Sequence, residues 1–184
     1  MSAGRRTASI DLAAAAGKTI PDVIGPGLSV LFCGINPGLR SAAVGHHFAR
    51  PGNRFWKALA ASGFTETVLS PYDDRCLLNF GLGITNLVPF ATRAAAELDR
   101  SKLRQGARDL SRKVSRWHPQ AVAVLGLEAY RKGFEHPRSV VGRQPEDLDG
   151  AQVWVLPNPS GIQAFYPFDR LVAELRAVRA ATER

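Results

Sequence analysis

Few residues in this chain combine a reactive side chain with a setting that could use it, and the most distinctive group is the stretch FCGINPG at residues 32–38. Asn36 and Pro37 stand between Gly34 and Gly38, directly after the apolar run SVLFC. Glycines let bare backbone approach another molecule closely and the proline ring stiffens the turn, so a neutral amide is held where a buried strand should end. Asn-Gly or Pro-Asp would suffice for a plain connector; this loop points to a ligand. A second loop, PNPSGIQAFYPF at 157–168, again carries Asn-Pro followed by Gly.

The remaining candidates for chemistry exclude more than they suggest. Cys33 and Cys76 lie far apart and form no C-x-x-C pair, so the sequence suggests neither a zinc site nor an iron–sulfur cluster, and reduced, cytoplasmic thiols are the simpler reading. His46 and His47 have no carboxylate or thiolate at ligand spacing in the sequence around them. They read as loop histidines close to a phosphate or a pocket, or as structural residues.

These residues must be carried by a fold, and 184 residues with 45% hydrophobic content are enough for one domain with a real core. Lys and Arg total 24 against 16 Asp and Glu, a net charge of +8 with pI near 10.2, and such an excess points first to a polyanionic partner. The first 18 residues hold Arg5, Arg6 and Lys18 against Asp11, so most of the excess belongs to the rest of the chain. Residues 1–20 read as a flexible basic leader, without an apolar stretch of signal or membrane-spanning length, and residues 21–184 as a single domain.

Beyond Pro21, apolar runs alternate with amphipathic stretches, which predicts a three-layer α/β/α sandwich with a mostly parallel central sheet. Strands are expected at 28–34, 83–88, 121–126 and 152–157. Asn53 can cap a helix whose apolar face is Phe55, Trp56, Leu59 and Ala60, with Gly63 ending it. Cys76, Leu77 and Phe80 suggest a shorter helix. Leu103, Ala107, Leu110, Val114 and Trp117 fall at spacings of three and four, a helical stripe over 100–117, and a last helix is expected over about 168–182. Arg100, Arg104, Arg108 and Arg112 lie opposite that stripe, as a solvated face first and a DNA contact second. Ligands of such folds sit at the carboxyl ends of the strands, which is where the two Asn-Pro loops fall, both too rich in glycine and proline to be read as helix.

The motifs GINPGL (34–39), GHHFARPGNRFWKAL (45–59), GITNLV (83–88) and LPNPSG (156–161) together resemble the mismatch-specific uracil DNA glycosylases, the group that includes thymine DNA glycosylase, within the uracil-DNA glycosylase superfamily. The resemblance covers roughly residues 21–175. It implies the uracil-DNA glycosylase fold and excision of uracil, and more slowly thymine or etheno-cytosine, opposite guanine in duplex DNA. The nucleotide must leave the stack, the departing pyrimidine anion must be stabilised, and water must reach the anomeric carbon.

By this resemblance Asn36 positions the water. An amide orients water but cannot take its proton near neutral pH, so catalysis must lean on leaving-group stabilisation and turnover should be slow. Ile35, Gly38, Ser41 and Asn86 are implied in lining the base pocket, and Phe48 in stacking on the flipped base, with a core role as its alternative. Gly38 leaves room beside the base's C5, so the pocket should be permissive. Asn158, Ser160, Gly161, Ile162 and Gln163 are implied in entering the duplex and reading the opposite base, with Ile162 as the apolar wedge or, alternatively, a core residue.

Three departures from the family pattern stand out. Ile162 replaces the usual leucine; Gln163-Ala164 stand where Ser-Arg is common; Pro89-Phe90-Ala91-Thr92-Arg93 replaces an Asp-Arg-Pro-Thr type run. Lys57, the only lysine near the motifs, falls inside a helix rather than on a pocket loop, so a monofunctional enzyme without a lyase step is expected. The expectation is thus a base-excision repair glycosylase without cofactor or metal. It would act as a monomer on double-stranded DNA with a G:U or G:T mismatch, associated with the nucleoid of a bacterial cytoplasm. The rival is a non-catalytic DNA-lesion-binding protein on the same fold.

Overall fold

A computed structural model of the protein describes residues 10–160 and 166–183. Four strands of largely apolar sequence, β1 (Val30–Gly34), β2 (Leu82–Asn86), β3 (Ala121–Leu125) and β5 (Gln152–Leu156), run parallel with both faces covered, the usual setting of a parallel sheet. A two-residue strand, β4 (Gly142–Arg143), adds antiparallel to β5 and has no apolar pattern from which it could be expected. The order across the sheet is β2-β1-β3-β5-β4.

One layer holds α2 (Phe55–Ala61), α5 (Phe168–Thr182) and the 3-10 stretch Pro71–Phe80, closing a core around Phe32, Phe55, Leu59, Leu77 and Leu175. The opposite layer holds α3 (Arg100–Trp117) and α4 (Leu127–Gly133), packed over Leu31, Cys33, Val122 and Val124. This is the expected α/β/α sandwich. The connections from β1 and β3, which are neighbours in the sheet, leave toward opposite layers, so a crevice opens at their carboxyl ends.

Several expectations need correction. Leu39–Val44 forms a short helix, α1, inside the loop that its flanking glycines and proline made unlike a helix; Gly38 and Gly45 bound it, the latter at φ +77°. In α2 the buried face includes Ala58 rather than Ala60, because the helix turns Phe55, Trp56, Ala58 and Leu59 inward. In Pro71–Phe80 only Asp74 and Leu77 are buried, three residues apart as 3-10 geometry puts one face; Cys76 lies off that face, and Phe80, the last residue of the stretch, is exposed where the chain leaves it. The α3 stripe is buried at Leu103, Ala107, Leu110 and Val114, but Trp117, in the last turn, is half-exposed.

The arginines opposite that stripe form the expected solvated face: Arg100, Arg108 and Arg112 are exposed, Arg104 pairs with Glu135 at 2.9 Å and Arg112 with Asp109. The leader boundary also moves. Residues 10–20 include a helical turn, Ala13–Ala15, with Ala15 fully buried, and join the domain instead of hanging free.

Candidate active site

The site begins where β1 and β2 end side by side, with Gly34 opposite Asn86 in parallel register. Gly34 is a requirement of this packing. A Cβ there would come within 2.5 Å of Asn86 Oδ1 and 3.4 Å of the Phe48 ring. Beyond Gly34 the chain runs back toward the segment after β2: the carbonyls of Gly34 and Ile35 accept from the N–H groups of Leu87 and Val88, both at 2.9 Å. Ile35 packs over Gly126, just past the end of β3 and at φ +152°, whose missing side chain makes room for it.

Asn36 is half-buried, and its Nδ2 is surrounded by acceptors. It donates to Thr92 Oγ1 at 2.8 Å, to the Pro37 carbonyl at 3.2 Å and, more distantly, toward the Phe90 carbonyl at 3.4 Å. Among the described residues Oδ1 of Asn36 makes no hydrogen bond. The amide nitrogen is therefore spent on the protein and the amide oxygen is left to accept from something else. Gly38 forms a parallel bridge with Thr92, and a Cβ on Gly38 would meet nothing within 4 Å, so the space beside this loop is open.

Phe48 adopts φ +53°, a left-handed conformation costly for an aromatic residue. Its surroundings hold it there. One ring face stacks on Phe55 at 4.2 Å between centroids, and the next residue, Ala49, donates its N–H to the buried Ser41 Oγ at 3.0 Å. Ser41 thus supports the pocket by pinning the Phe48 loop. The half-buried ring packs with the core against Phe55 and stands beside Gly34.

Two histidines and one carboxylate complete the support. The buried Asp74 accepts from the His47 backbone N–H at 3.0 Å and lies 3.3 Å from His46 Nδ1. His47 is itself buried, and its Nε2 donates to the Pro21 carbonyl at 3.0 Å, which fixes the tautomer: Nδ1 is left as an acceptor facing Asn86 Nδ2 at 3.5 Å. Burial pushes the His47 pKa below its usual value, so the neutral ring is the stable form. Asn86 is consequently oriented with Nδ2 on His47 and Oδ1 beside Gly34. The two site asparagines share one arrangement, nitrogen held by protein and oxygen presented.

The second loop meets this cluster through Arg54. Its backbone N–H donates to the Pro159 carbonyl at 3.0 Å, Nη1 to the Tyr166 carbonyl at 2.6 Å, and Nη2 to the Asn158 carbonyl at 3.4 Å, while the next residue, Phe55, carries Phe48. Asn158 Oδ1 accepts from Ser160 N–H at 2.9 Å, closing a tight turn at the end of the described loop. Ser160 is half-buried there. Gly161, Ile162 and Gln163 lie outside the described residues. Sequence reasoning missed Thr92, Asp74 and Arg54; Thr92 falls in the run 89–93 that departs from the family pattern, and Arg54 stands inside the motif PGNRFW.

Neither cysteine belongs to the site. Burial pushes the Cys33 thiol far up, so it stays protonated, and Cys76 is exposed on the 3-10 stretch. Among the described residues no three His, Cys, Asp or Glu side chains gather as a metal site, and no helix is long and apolar enough to cross a membrane. A neighbouring cleft of about 590 Å³ touches Asn86, and two of the three cations that line it are already engaged, Lys113 with Asp22 at 2.6 Å and Arg112 with Asp109.

The family profile described as the uracil DNA glycosylase superfamily matches residues 21–178, spanning every element of this site. Among solved structures, the chain is similar to the solution NMR structure of a candidate uracil DNA glycosylase from Methanosarcina acetivorans. The two are 16% identical with a TM-score of 0.56, and the match covers 89% of this chain and 98% of that one, a likeness of fold. Profile, fold and the Asn36 loop at the end of β1 agree: the chain belongs to the uracil DNA glycosylase superfamily, whose members cleave N-glycosyl bonds.

Proposed function

We propose that this protein is a monofunctional, mismatch-specific DNA glycosylase that excises uracil, and more slowly thymine or etheno-cytosine, opposite guanine in duplex DNA. The observation that carries the reading is the Asn36 amide, with Nδ2 held by Thr92, Pro37 and Phe90 and Oδ1 unengaged among the described residues. A water donating to that oxygen keeps its lone pairs free for an electrophilic carbon. The amide supplies orientation and no base, so bond breaking must lead and the sugar must develop oxocarbenium character before water adds.

Other features support the same reading. The open space at Gly38 tolerates a substituent at the pyrimidine C5, and the Phe48 ring beside Gly34 offers a surface for a base that has left the stack. Lys57 is an exposed residue of α2, in keeping with hydrolysis without a Schiff base. The +8 net charge suits a DNA partner. We extend the reading to a cytoplasmic monomer needing no cofactor.

The test uses end-labelled duplexes carrying G:U, A:U, G:T or G:etheno-cytosine, incubated with excess protein and then treated with alkali to cut abasic sites. Excision of G:U ahead of A:U, with slower G:T and G:etheno-cytosine, is the expected result. Binding without strand cleavage in any duplex would favour the non-catalytic rival, and equal cleavage of G:U and A:U would remove mismatch specificity.

A further inference from the structure

The family profile begins at residue 21, yet the chain ahead of it reaches the catalytic loop. Asp11 Oδ1 accepts from the N–H groups of Ala13 and Ala14 at 3.0 and 3.1 Å, closing the turn that drives Ala15 inward. Ala15 packs, fully buried, with Ala42 of α1 and with Ala91. Gly17, at φ +77°, then donates its N–H to the Ala91 carbonyl at 2.9 Å, and the Lys18 carbonyl accepts the Ala91 N–H at 2.8 Å. Thr19 bridges antiparallel to Phe90.

Ala91 is the residue between the two that hold the Asn36 amide from across the loop, Phe90 through its carbonyl and Thr92 through its hydroxyl. Both backbone polar groups of Ala91 are given to residues 17 and 18. Its neighbours are thereby left facing the other way, toward Asn36. The same segment continues to Pro21, whose carbonyl fixes the tautomer of His47 and through it the orientation of Asn86. Each of the two site asparagines is thus oriented through a residue held by this segment.

We propose that residues 11–19 act as a positioning strap for the Asn36 amide, setting its rotation through Ala91, and that catalysis depends on this strap beyond its contribution to stability. The catalytic part of the proposal rests on the glycosylase reading above; the strap's control of the Asn36 side chain does not.

The experiment is made in the full chain at Gly17. Gly17→Pro removes the N–H that grips Ala91 and imposes a negative φ, whereas Gly17→Asn keeps the N–H and tolerates the left-handed backbone, and a Cβ there meets nothing within 4 Å. Three quantities are read: single-turnover excision of G:U at saturating protein, affinity for a duplex with a stable abasic analogue, and the Asn36 side-chain NH₂ resonances without DNA. Gly17→Pro is expected to slow excision ~10-fold or more, as misplacement of a reacting group does, and to shift those resonances, with abasic affinity within ~2-fold of wild type. Gly17→Asn should match the wild type in all three.

A folded Gly17→Pro protein with unmoved Asn36 resonances overturns the proposal, as does a parallel loss of rate and abasic affinity. Should that variant fail to fold, Ala15→Leu, which forces the strap away from Ala42 and Ala91, is read by the same criteria. A wild type that excises nothing would refute the glycosylase reading, while the resonance shift would still decide whether the strap sets Asn36.

Discussion

The Nδ2 of Asn36 donates to Thr92 Oγ1 at 2.8 Å, and the Thr92 hydroxyl in turn donates to the Ala94 carbonyl at 2.8 Å. With its one proton committed to Ala94, Thr92 can only accept from residue 36. This relay selects between the two flips of the amide, placing nitrogen on the protein side and oxygen on the open side.

A prediction follows for residue 36. Asn36→Ala should lower single-turnover excision ~10²-fold or more, the scale of losing a positioned catalytic group, with abasic-duplex binding retained. Asn36→Asp is the sharper variant, because its carboxylate would face the Phe90 and Pro37 carbonyls, which have no proton to give, and a Thr92 hydroxyl whose one proton is engaged with the Ala94 carbonyl. Those acceptors favour the protonated acid and raise its folded pKa above the ordinary ~3.9. Relative to Asn36→Ala, the Asp variant should therefore lose stability as pH rises above that value. Melting temperatures of the two variants at pH 4 and pH 8 check the sign, and a wild-type rate for Asn36→Asp at pH 8 would refute the assigned role.

Much of this architecture is legible in the sequence, and the reason is locality. The apolar runs of β1, β2, β3 and β5 announce themselves because each strand is buried on both faces, and α3 and α5 carry their packing in their spacing. Asn36 is readable because its loop is contiguous. The residues that orient it are not: Thr92 lies 56 positions away, Asp74 reaches His47 from 27 positions away, and Arg54 spans more than a hundred to Asn158 and Tyr166. Nothing in the local pattern of those segments encodes the partner they meet. The strap is hidden for the same reason, since Ala15 and Gly17 gain their roles only when Ala91 is folded against them.

Gly34 gives a steric prediction. A methyl group there would stand 2.5 Å from Asn86 Oδ1 and 3.4 Å from Phe48, so one of the two must move. Gly34→Ala should destabilise the fold by ~1–3 kcal/mol, as overpacking of a filled site does, and lower capture of the flipped base. Phe48→Leu separates the two roles of the ring: it keeps apolar volume against Phe55 but loses the aromatic face, and should weaken productive binding by ~1–3 kcal/mol with a smaller change in melting temperature. A change confined to stability would leave Phe48 a core residue alone.

His47 sets an acid limit. Burial lowers its folded pKa below the unfolded value of 6.5, so the neutral ring contributes stability that is complete above that pH. As pH falls from 6.5 toward the depressed folded pKa, the unfolded chain takes up the proton first and stability declines. Protonation in the fold would also put an N–H against Asn86 Nδ2 and turn that amide, removing Oδ1 from Gly34. The wild-type melting temperature should fall on acidification through this range, and His47→Gln should flatten that limb. A variant with the same pH slope as wild type would assign the acid sensitivity to another group.

Arg54 tests how the second loop depends on the first. Its two guanidinium bonds and its backbone N–H join the carbonyls of Asn158, Pro159 and Tyr166, which bracket the segment holding Ile162. A planar fork makes these two side-chain contacts together, and a lysine ammonium, a point charge on a flexible stem, cannot hold both ends in the same geometry. If that loop enters the duplex as the base leaves, Arg54→Lys should slow excision of uracil ~10-fold in a G:C-flanked duplex, where opening costs most, and leave uracil in single-stranded DNA nearly unaffected. A purely structural arginine would lower the melting temperature and slow both substrates alike. The ratio of the two single-turnover rates, measured well below the melting temperature, therefore distinguishes an anchor for base extrusion from a packing residue, and an unchanged ratio would remove the loop's dependence on Arg54.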